Sequence, residues 1–196
     1  MNLRLFIALE LPESFLRDLE LDLEGLKKAH PEFRWTKREN QHLTLAFLGS
    51  VPEDRIPIVL SALEQTINLW NRKTDTSQGI PVSAQGLYTF PPRKPASVLA
   101  VGLGTGKEPV SSLAATLETE LIAIKEIAQL DEFEGSRRTF TPHITVARAG
   151  RSPIRLVQTE RQLPLQAQGS IGYATLYSSL LQRGGPIYTV QGRFHL

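Results

Sequence analysis

Two histidines in this chain each stand two residues before a threonine, within short apolar segments. The first pair is His42 with Thr44, and the second is His143 with Thr145. In an extended segment, residues i and i+2 project from the same face, so each pair presents an imidazole beside a hydroxyl. The apolar residues between them are then predicted to point into the core.

These side chains are suited to the hydrolysis of a cyclic phosphodiester. One imidazole can take a proton from water and the other can protonate the departing oxygen, because the unperturbed pKa of histidine is about 6.5. The hydroxyls of Thr44 and Thr145 can donate to the phosphate oxygens that gain negative charge in the transition state. Two histidines alone are a poor metal site, so we predict no metal and no cofactor.

The two histidine segments also align with each other. Residues 42–52 placed over residues 143–153 without a gap match at five of eleven positions, which hold His, Thr, Ala, Gly and Pro. The order strand, helix, histidine-bearing strand occurs over residues 3–48 and again over residues 97–148. We infer a duplicated chain whose pseudo-twofold axis brings the two pairs face to face across a cleft, around one phosphate.

Hydrophobic periodicity predicts an α+β fold. Amphipathic helices are expected between residues 12 and 31, over 53–70 and from 109 onward. Strands are expected over residues 3–9, 33–36, 41–48, 80–90, 97–103, 140–148, 163–180 and 187–194, with the seventh bent or bulged at its two glycines. We expect one domain over residues 1–196, made of two intertwined pseudo-symmetric lobes.

Composition limits the classes of protein. Hydrophobic residues make up 41% and charged residues 21%, the balance of an ordinary globular domain. The absence of cysteine excludes disulfides, thiolate nucleophiles and cysteine-ligated metals, and it is compatible with a reducing compartment. No apolar run approaches the roughly 18 residues that a membrane span needs. We therefore expect a soluble, cytoplasmic protein with no membrane partner.

Positive charge is concentrated in the C-terminal third. The net charge is +2, but residues 131–196 hold eight arginines against four acids, which gives +4 there and −2 elsewhere. Such asymmetry suits an anionic ligand such as a phosphate, and an ordinary solvated surface is the alternative. The arginines are Arg137, Arg138, Arg148, Arg151, Arg155, Arg161, Arg183 and Arg193.

The histidine segments resemble the signature motifs of the two-histidine phosphoesterase superfamily, specifically the RNA 2',3'-cyclic phosphodiesterases, also called 2'-5' RNA ligases. The two tetrapeptides, residues 42–45 and 143–146, carry the resemblance, and weaker similarity extends over residues 4–8, 45–49 and 185–188. The resemblance implies a bilobal fold in which two antiparallel sheets line a central groove and helices pack outside.

The same resemblance implies an activity and roles for individual residues. Family members open a terminal 2',3'-cyclic phosphate to leave a 2'-phosphate, with His42 matching the general acid and His143 the general base. The symmetry of the repeat alone does not choose between these roles. The expected partner is RNA, or a nucleotide, with a 2',3'-cyclic phosphate end, and the sequence leaves the oligomeric state open.

Phe47 and Arg148 each lie five residues after a histidine of the repeated motif. By resemblance, the Phe47 ring stacks on a base and the Arg148 guanidinium contacts phosphate. An odd offset would put both on the opposite face of a regular strand, so we predict a bulge or a strand end that redirects them. A core position is the alternative for Phe47.

Other functions stay open at this stage. An enzyme of the same fold could act on small cyclic nucleotides or ADP-ribose cyclic phosphate, or join RNA ends through a 2'-5' linkage. A non-catalytic RNA-binding protein could use the arginine-rich third instead. The remaining histidines, His30 and His195, show no partner pattern and are interpreted as surface residues.

Overall fold

The computed structural model describes residues 1–74, 79–92, 95–135, 140–182 and 185–196. These ranges contain nine strands and five α-helices. The strands are β1 (Asn2–Leu9), β2 (Arg34–Trp35), β3 (Leu43–Pro52), β4 (Ile80–Phe90), β5 (Val98–Leu103), β6 (His143–Arg148), β7 (Gln168–Ile171), β8 (Tyr173–Gln182) and β9 (Gly185–His195). The helices are α1 (Glu13–Asp22), α2 (Glu24–Ala29), α3 (Ile56–Lys73), α4 (Lys107–Ala123) and α5 (Gln158–Arg161).

The strands form one antiparallel sheet in the order β7-β4-β5-β6-β3-β1-β8-β9, with β2 paired to β6. It has a His42 half (β3, β1, β8, β9) and a His143 half (β6, β5, β4, β7). In each half, the strand beside the histidine strand is the one that opens the same repeat. This strand is β1 beside β3 and β5 beside β6. The α+β fold with two antiparallel halves is confirmed, and the two expected sheets are continuous through a single pair, Leu43 with Ile144.

Two helices pack against the half of the sheet to which their preceding strand does not belong. Helix α1 follows β1 of the His42 half yet packs against β7, whereas α4 follows β5 of the His143 half and packs against β3. Buried apolar side chains from both halves therefore form one hydrophobic cluster. Among the described residues, no helix is long and apolar enough to cross a membrane.

The strand expected over residues 163–180 is divided. Its parts are β7 and β8, separated by Gly172, and they lie towards opposite ends of the sheet order. The glycine interruption is thus confirmed, but the two parts belong to different halves. Because one residue links strands so far apart in the order, the sheet must curl, and this curl forms the groove.

Candidate active site

The histidine strands β3 and β6 meet at the middle of the sheet. The pair that joins them, Leu43 with Ile144, is antiparallel, and both side chains are fully buried. Residues next to such a pair project from the opposite face of the sheet. Both histidines and both threonines of the repeated motif therefore face the groove.

The register arranges these four side chains as a square. Continued by one residue on either side of the joining pair, it places His42 across from Thr145 and Thr44 across from His143. The two imidazoles occupy one diagonal and the two hydroxyls the other. Diagonal neighbours in an antiparallel pair lie about 7–8 Å apart, which leaves room for one phosphate between the rings.

Both imidazoles are held in the same tautomer. Nδ1 of His42 donates to the carbonyl oxygen of Asn40 at 2.9 Å, and Nδ1 of His143 donates to that of Thr141 at 2.8 Å. A carbonyl oxygen can only accept, so Nδ1 carries a hydrogen in each ring. Nε2 of each ring is then the atom that can exchange a proton with a ligand.

Each histidine strand carries a bulge three residues after its histidine. The extra residue is Leu45 in β3, opposite β1, and Val146 in β6, opposite β5. Each bulge inserts one residue into the alternation, so the fifth residue after the histidine returns to the groove face. The redirection predicted from the odd offset is confirmed for Phe47 and Arg148.

Phe47 and Arg148 are both exposed on this face. The Phe47 side chain is 68% exposed, and its ring centroid lies 6.2 Å from that of Phe6, so the core alternative is wrong. Arg148 lies at the end of β6, and its charge acts on both His42 and Tyr188. The charge of this arginine therefore influences the surroundings of His42 as well as those of its own strand.

Aromatic rings enclose His42. The Phe6 and Tyr188 ring centroids lie 4.9 and 5.4 Å from the imidazole, with Tyr188 edge-on. Burial lowers the pKa of His42 to about 4. This value includes smaller contributions from the hydrogen bond to the Asn40 carbonyl, which raises the pKa, and from the nearby charges of Arg148 and His143, which lower it. His42 is therefore neutral at pH 7 in the free protein.

The other histidine has different neighbours. Among the described residues, Phe90 is the ring beside His143, with centroids 5.0 Å apart. Residues 93–94 and 136–139 lie outside the described part of the chain. Three of the eight arginines noted above, Arg137, Arg138 and Arg183, also lie outside it.

A cleft of about 600 Å³ adjoins His42, and its lining includes Glu10, Tyr177 and Tyr188, to which the sequence analysis assigned no role. The Glu10 carboxylate accepts hydrogen bonds from Tyr177 at 3.1 Å and from Arg193 at 2.6 Å. Burial, together with the Glu10 charge, raises the pKa of Tyr177 to about 12. Tyr177 is thus a fixed, neutral donor, and Arg193 is committed to an ion pair.

The surface interpretation is wrong for His30. Its side chain is 18% exposed, stacks on Phe33 at 4.5 Å, and contacts Glu32 at 3.0 Å and Glu160 at 2.7 Å. Glu160 is 130 residues away from His30 in sequence, so no local pattern indicates this contact. His195 is exposed, as predicted. Within the described ranges, no three histidine or acidic side chains form a group that could hold a metal ion.

Comparison with known proteins bears on the same features. A family model described as LigT-like phosphoesterase matches residues 9–100. The chain is 26% identical over 196 residues to an RNA 2',3'-cyclic phosphodiesterase of Aquifex aeolicus (strain VF5), covering 95% of this chain and 90% of the relative. It is 27% identical over 203 residues to one of Methanothermobacter thermautotrophicus, covering 100% of both chains.

A solved structure shows the same fold. The crystal structure of a Thermus thermophilus protein superposes with a TM-score of 0.70 at 25% identity, covering 98% of this chain and 97% of that one. The similarity extends across both histidine strands, whereas the family model covers the first. The chain is therefore similar to LigT-like phosphoesterases, and to relatives named RNA 2',3'-cyclic phosphodiesterase over nearly its whole length.

Proposed function

We propose that this protein hydrolyses terminal 2',3'-cyclic phosphates of RNA to 2'-phosphates by metal-independent acid–base catalysis. The observation that carries the proposal is the square of two imidazoles and two hydroxyls around the buried Leu43–Ile144 pair. The relatives named RNA 2',3'-cyclic phosphodiesterase, which align over nearly their whole length, support the substrate class.

The reaction uses one proton acceptor and one proton donor. A water oxygen attacks the phosphorus while His143 takes its proton, and the bond between phosphorus and the 3' oxygen breaks. His42 gives its proton to that oxygen, which leaves a 3'-hydroxyl and a 2'-phosphate. Thr44 and Thr145 donate to the non-bridging oxygens, where negative charge accumulates. This polarity follows the family resemblance.

The surroundings of His42 add a condition to this scheme. An acid with a pKa of about 4 is almost entirely deprotonated at pH 7 in the free protein. A bound phosphate places negative charge beside the imidazole and offsets the positive charge of Arg148. Both effects favour the charged imidazole, so substrate binding raises the pKa of His42. The imidazole then carries the proton that it donates in the reaction.

The two redirected residues bind the substrate in this proposal. Arg148 presents a planar fork of donors to the phosphate oxygens. Phe47 offers an exposed ring on which the terminal base stacks. Both side chains lie on the groove face because of the matching bulges at Leu45 and Val146.

The test is incubation of the protein, in excess EDTA, with an RNA that ends in a 2',3'-cyclic phosphate. We expect product with the phosphate on the 2' oxygen, and loss of turnover in His42→Ala and His143→Ala. His195→Ala is the matched control, because this exposed histidine lies outside the square. A 3'-phosphate product, or activity retained in either active-site variant, would overturn the proposal.

The cytoplasmic location predicted from the sequence belongs to the same proposal. Cell fractionation with an antibody against the protein should recover it with soluble cytoplasmic markers. Recovery outside the cytoplasm would contradict this part.

A further inference from the structure

A second arginine stands beside Arg148. Arg34 of β2 is directly opposite Arg148 of β6 in the antiparallel register. Residues paired in this way project from the same face with Cβ atoms about 4.5–5.5 Å apart, and like charges there destabilise the sheet. Within the described part of the chain, neither guanidinium has a carboxylate within ion-pair distance. Two cationic groups therefore lie side by side, with no described carboxylate paired to either.

Arg34 is held in place by its own strand. Its Nε donates to the carbonyl oxygen of Ala149 at 2.9 Å, and among the described residues neither terminal nitrogen has a hydrogen-bond acceptor. The next residue, Trp35, packs partly buried against the core and donates from its ring nitrogen to the carbonyl of His30 at 3.0 Å. The strand that presents Arg34 is thus fixed from the opposite face.

The position of Arg34 relative to the square indicates which part of a bound substrate it can contact. In the proposed function Arg148 binds the reacting phosphate, and Arg34 is its neighbour across the strand pair. The charge of Arg148 also lowers the pKa of His42 and of Tyr188. A cyclic mononucleotide carries one phosphate, which Arg148 contacts. An RNA end carries a second phosphate, on the 5' side of its terminal nucleotide.

We propose that Arg34 binds the phosphodiester on the 5' side of the terminal nucleotide, so that the protein favours RNA ends over cyclic mononucleotides. This inference rests on the proposed function and names its substrate class. Guanidinium groups suit phosphate oxygens, and a contact with backbone phosphate positions the strand without reading its sequence. The bound phosphate also removes the like-charge repulsion between the two arginines.

The experiment compares uridine 2',3'-cyclic phosphate with a diuridine that ends in the same cyclic phosphate. In Arg34→Gln we expect kcat/KM for the dinucleotide to fall by about tenfold or more, mainly through KM, because a charge-assisted contact remote from the reacting bond is lost. Turnover of the mononucleotide should stay within about twofold. Arg34→Lys should recover part of the loss, since it keeps the charge but not the fork.

Two further measurements separate binding from a structural role. The slope of log Kd against log salt for the 2'-phosphorylated diuridine product should decrease in magnitude by about 0.7 in Arg34→Gln. Arg72→Gln, at an exposed arginine in the last turn of α3, is the matched control and should change neither the slope nor turnover. A thermal unfolding midpoint equal to that of the wild type confirms that Arg34→Gln is folded.

The outcomes distinguish this inference from the proposed function. An equal loss on both substrates, or no loss on the dinucleotide, would overturn the role of Arg34 while leaving the hydrolysis standing. Wild-type protein that turns over neither substrate would overturn the hydrolysis, and the role of Arg34 with it.

Discussion

The two histidine strands are similar in sequence, register and bulge position, yet the rest of the fold surrounds their imidazoles differently. His42 lies between Phe6 of β1 and Tyr188 of β9, which bury it, whereas His143 lies beside Phe90 of β4. Acid and base roles separate when the environments of two titratable groups differ. The comparison shows that similar histidine segments lie in unlike surroundings, so the two imidazoles are not chemically equivalent.

The largest expected effect tests whether the two halves act as one unit. His42→Ala and His143→Ala should each lower kcat by about 1,000-fold, because each removes one proton-transfer partner. The double variant should fall no more than about tenfold below either single variant, since neither histidine works without the other. Losses that multiply in the double variant would show two independent contributions, contrary to the account.

The next effect distinguishes the halves by stability in acid. The pKa of His42 is about 4 in the folded protein and about 6.5 when unfolded, so the unfolded chain takes up the proton first. Stability is therefore full above about pH 6.5 and decreases as the pH falls towards 4, by about 3 kcal/mol from this group. Urea unfolding at both pH values measures it.

His42→Gln supplies the comparison for that experiment, and His143→Gln is its matched control. The glutamine at position 42 should remove about 3 kcal/mol of the acid sensitivity, whereas the control should keep it. His30 acts in the opposite direction, because the hydrogen bonds to Glu160 and Glu32 raise its pKa despite its burial. An unchanged acid sensitivity in His42→Gln would disprove the burial of a neutral imidazole.

The hydroxyls of Thr44 and Thr145 should contribute about equally to kcat, because the two halves are similar. Thr44→Val and Thr145→Val should each lower kcat by about 100-fold, because each removes one donor to the charge of the transition state. The two losses should agree within about threefold, since the threonines occupy equivalent positions in the square. Serine at each position should recover most of the activity, and failure of both serine variants would indicate that the methyl group matters instead.

The smallest effect concerns the rings around His42. The acidic limb of a bell-shaped kcat/KM profile should lie near pH 4, the pKa of His42 in the free protein. Tyr188→Ala opens the site to water and should move this limb up by about one pH unit, whereas Phe90→Ala, beside the other histidine, should leave it in place. A flat profile between about pH 5 and about pH 9 would contradict paired acid and base roles.

Local patterns predicted the repeated parts of the molecule. The motif of a histidine two residues before a threonine predicted which side chains face the groove, because alternation along a strand is a local property. The odd offset of Phe47 and Arg148 predicted a break in that alternation, and the break takes the form of bulges at Leu45 and Val146. The internal alignment predicted two related halves.

The features that these local patterns did not predict depend on contacts between residues that are distant in sequence. Tyr188 is distant in sequence from His42, so the burial that lowers the pKa of this histidine has no local signal. Arg34 lies opposite Arg148 because β2 pairs with the last two residues of β6. Hydrophobic periodicity does not specify this pairing. The division of one expected strand into β7 and β8 likewise depends on the curl of the whole sheet.

The most direct test of the central claim, that two imidazoles converge on one phosphate, is nitrogen NMR of both histidines during titration with uridine 2'-phosphate. The account predicts that Nε2 of His42 and Nε2 of His143 respond together, at the same ligand concentration, and that the pKa of His42 rises above about 4 in the complex. A response from one imidazole alone, or an unchanged pKa of His42 at saturation, would contradict it.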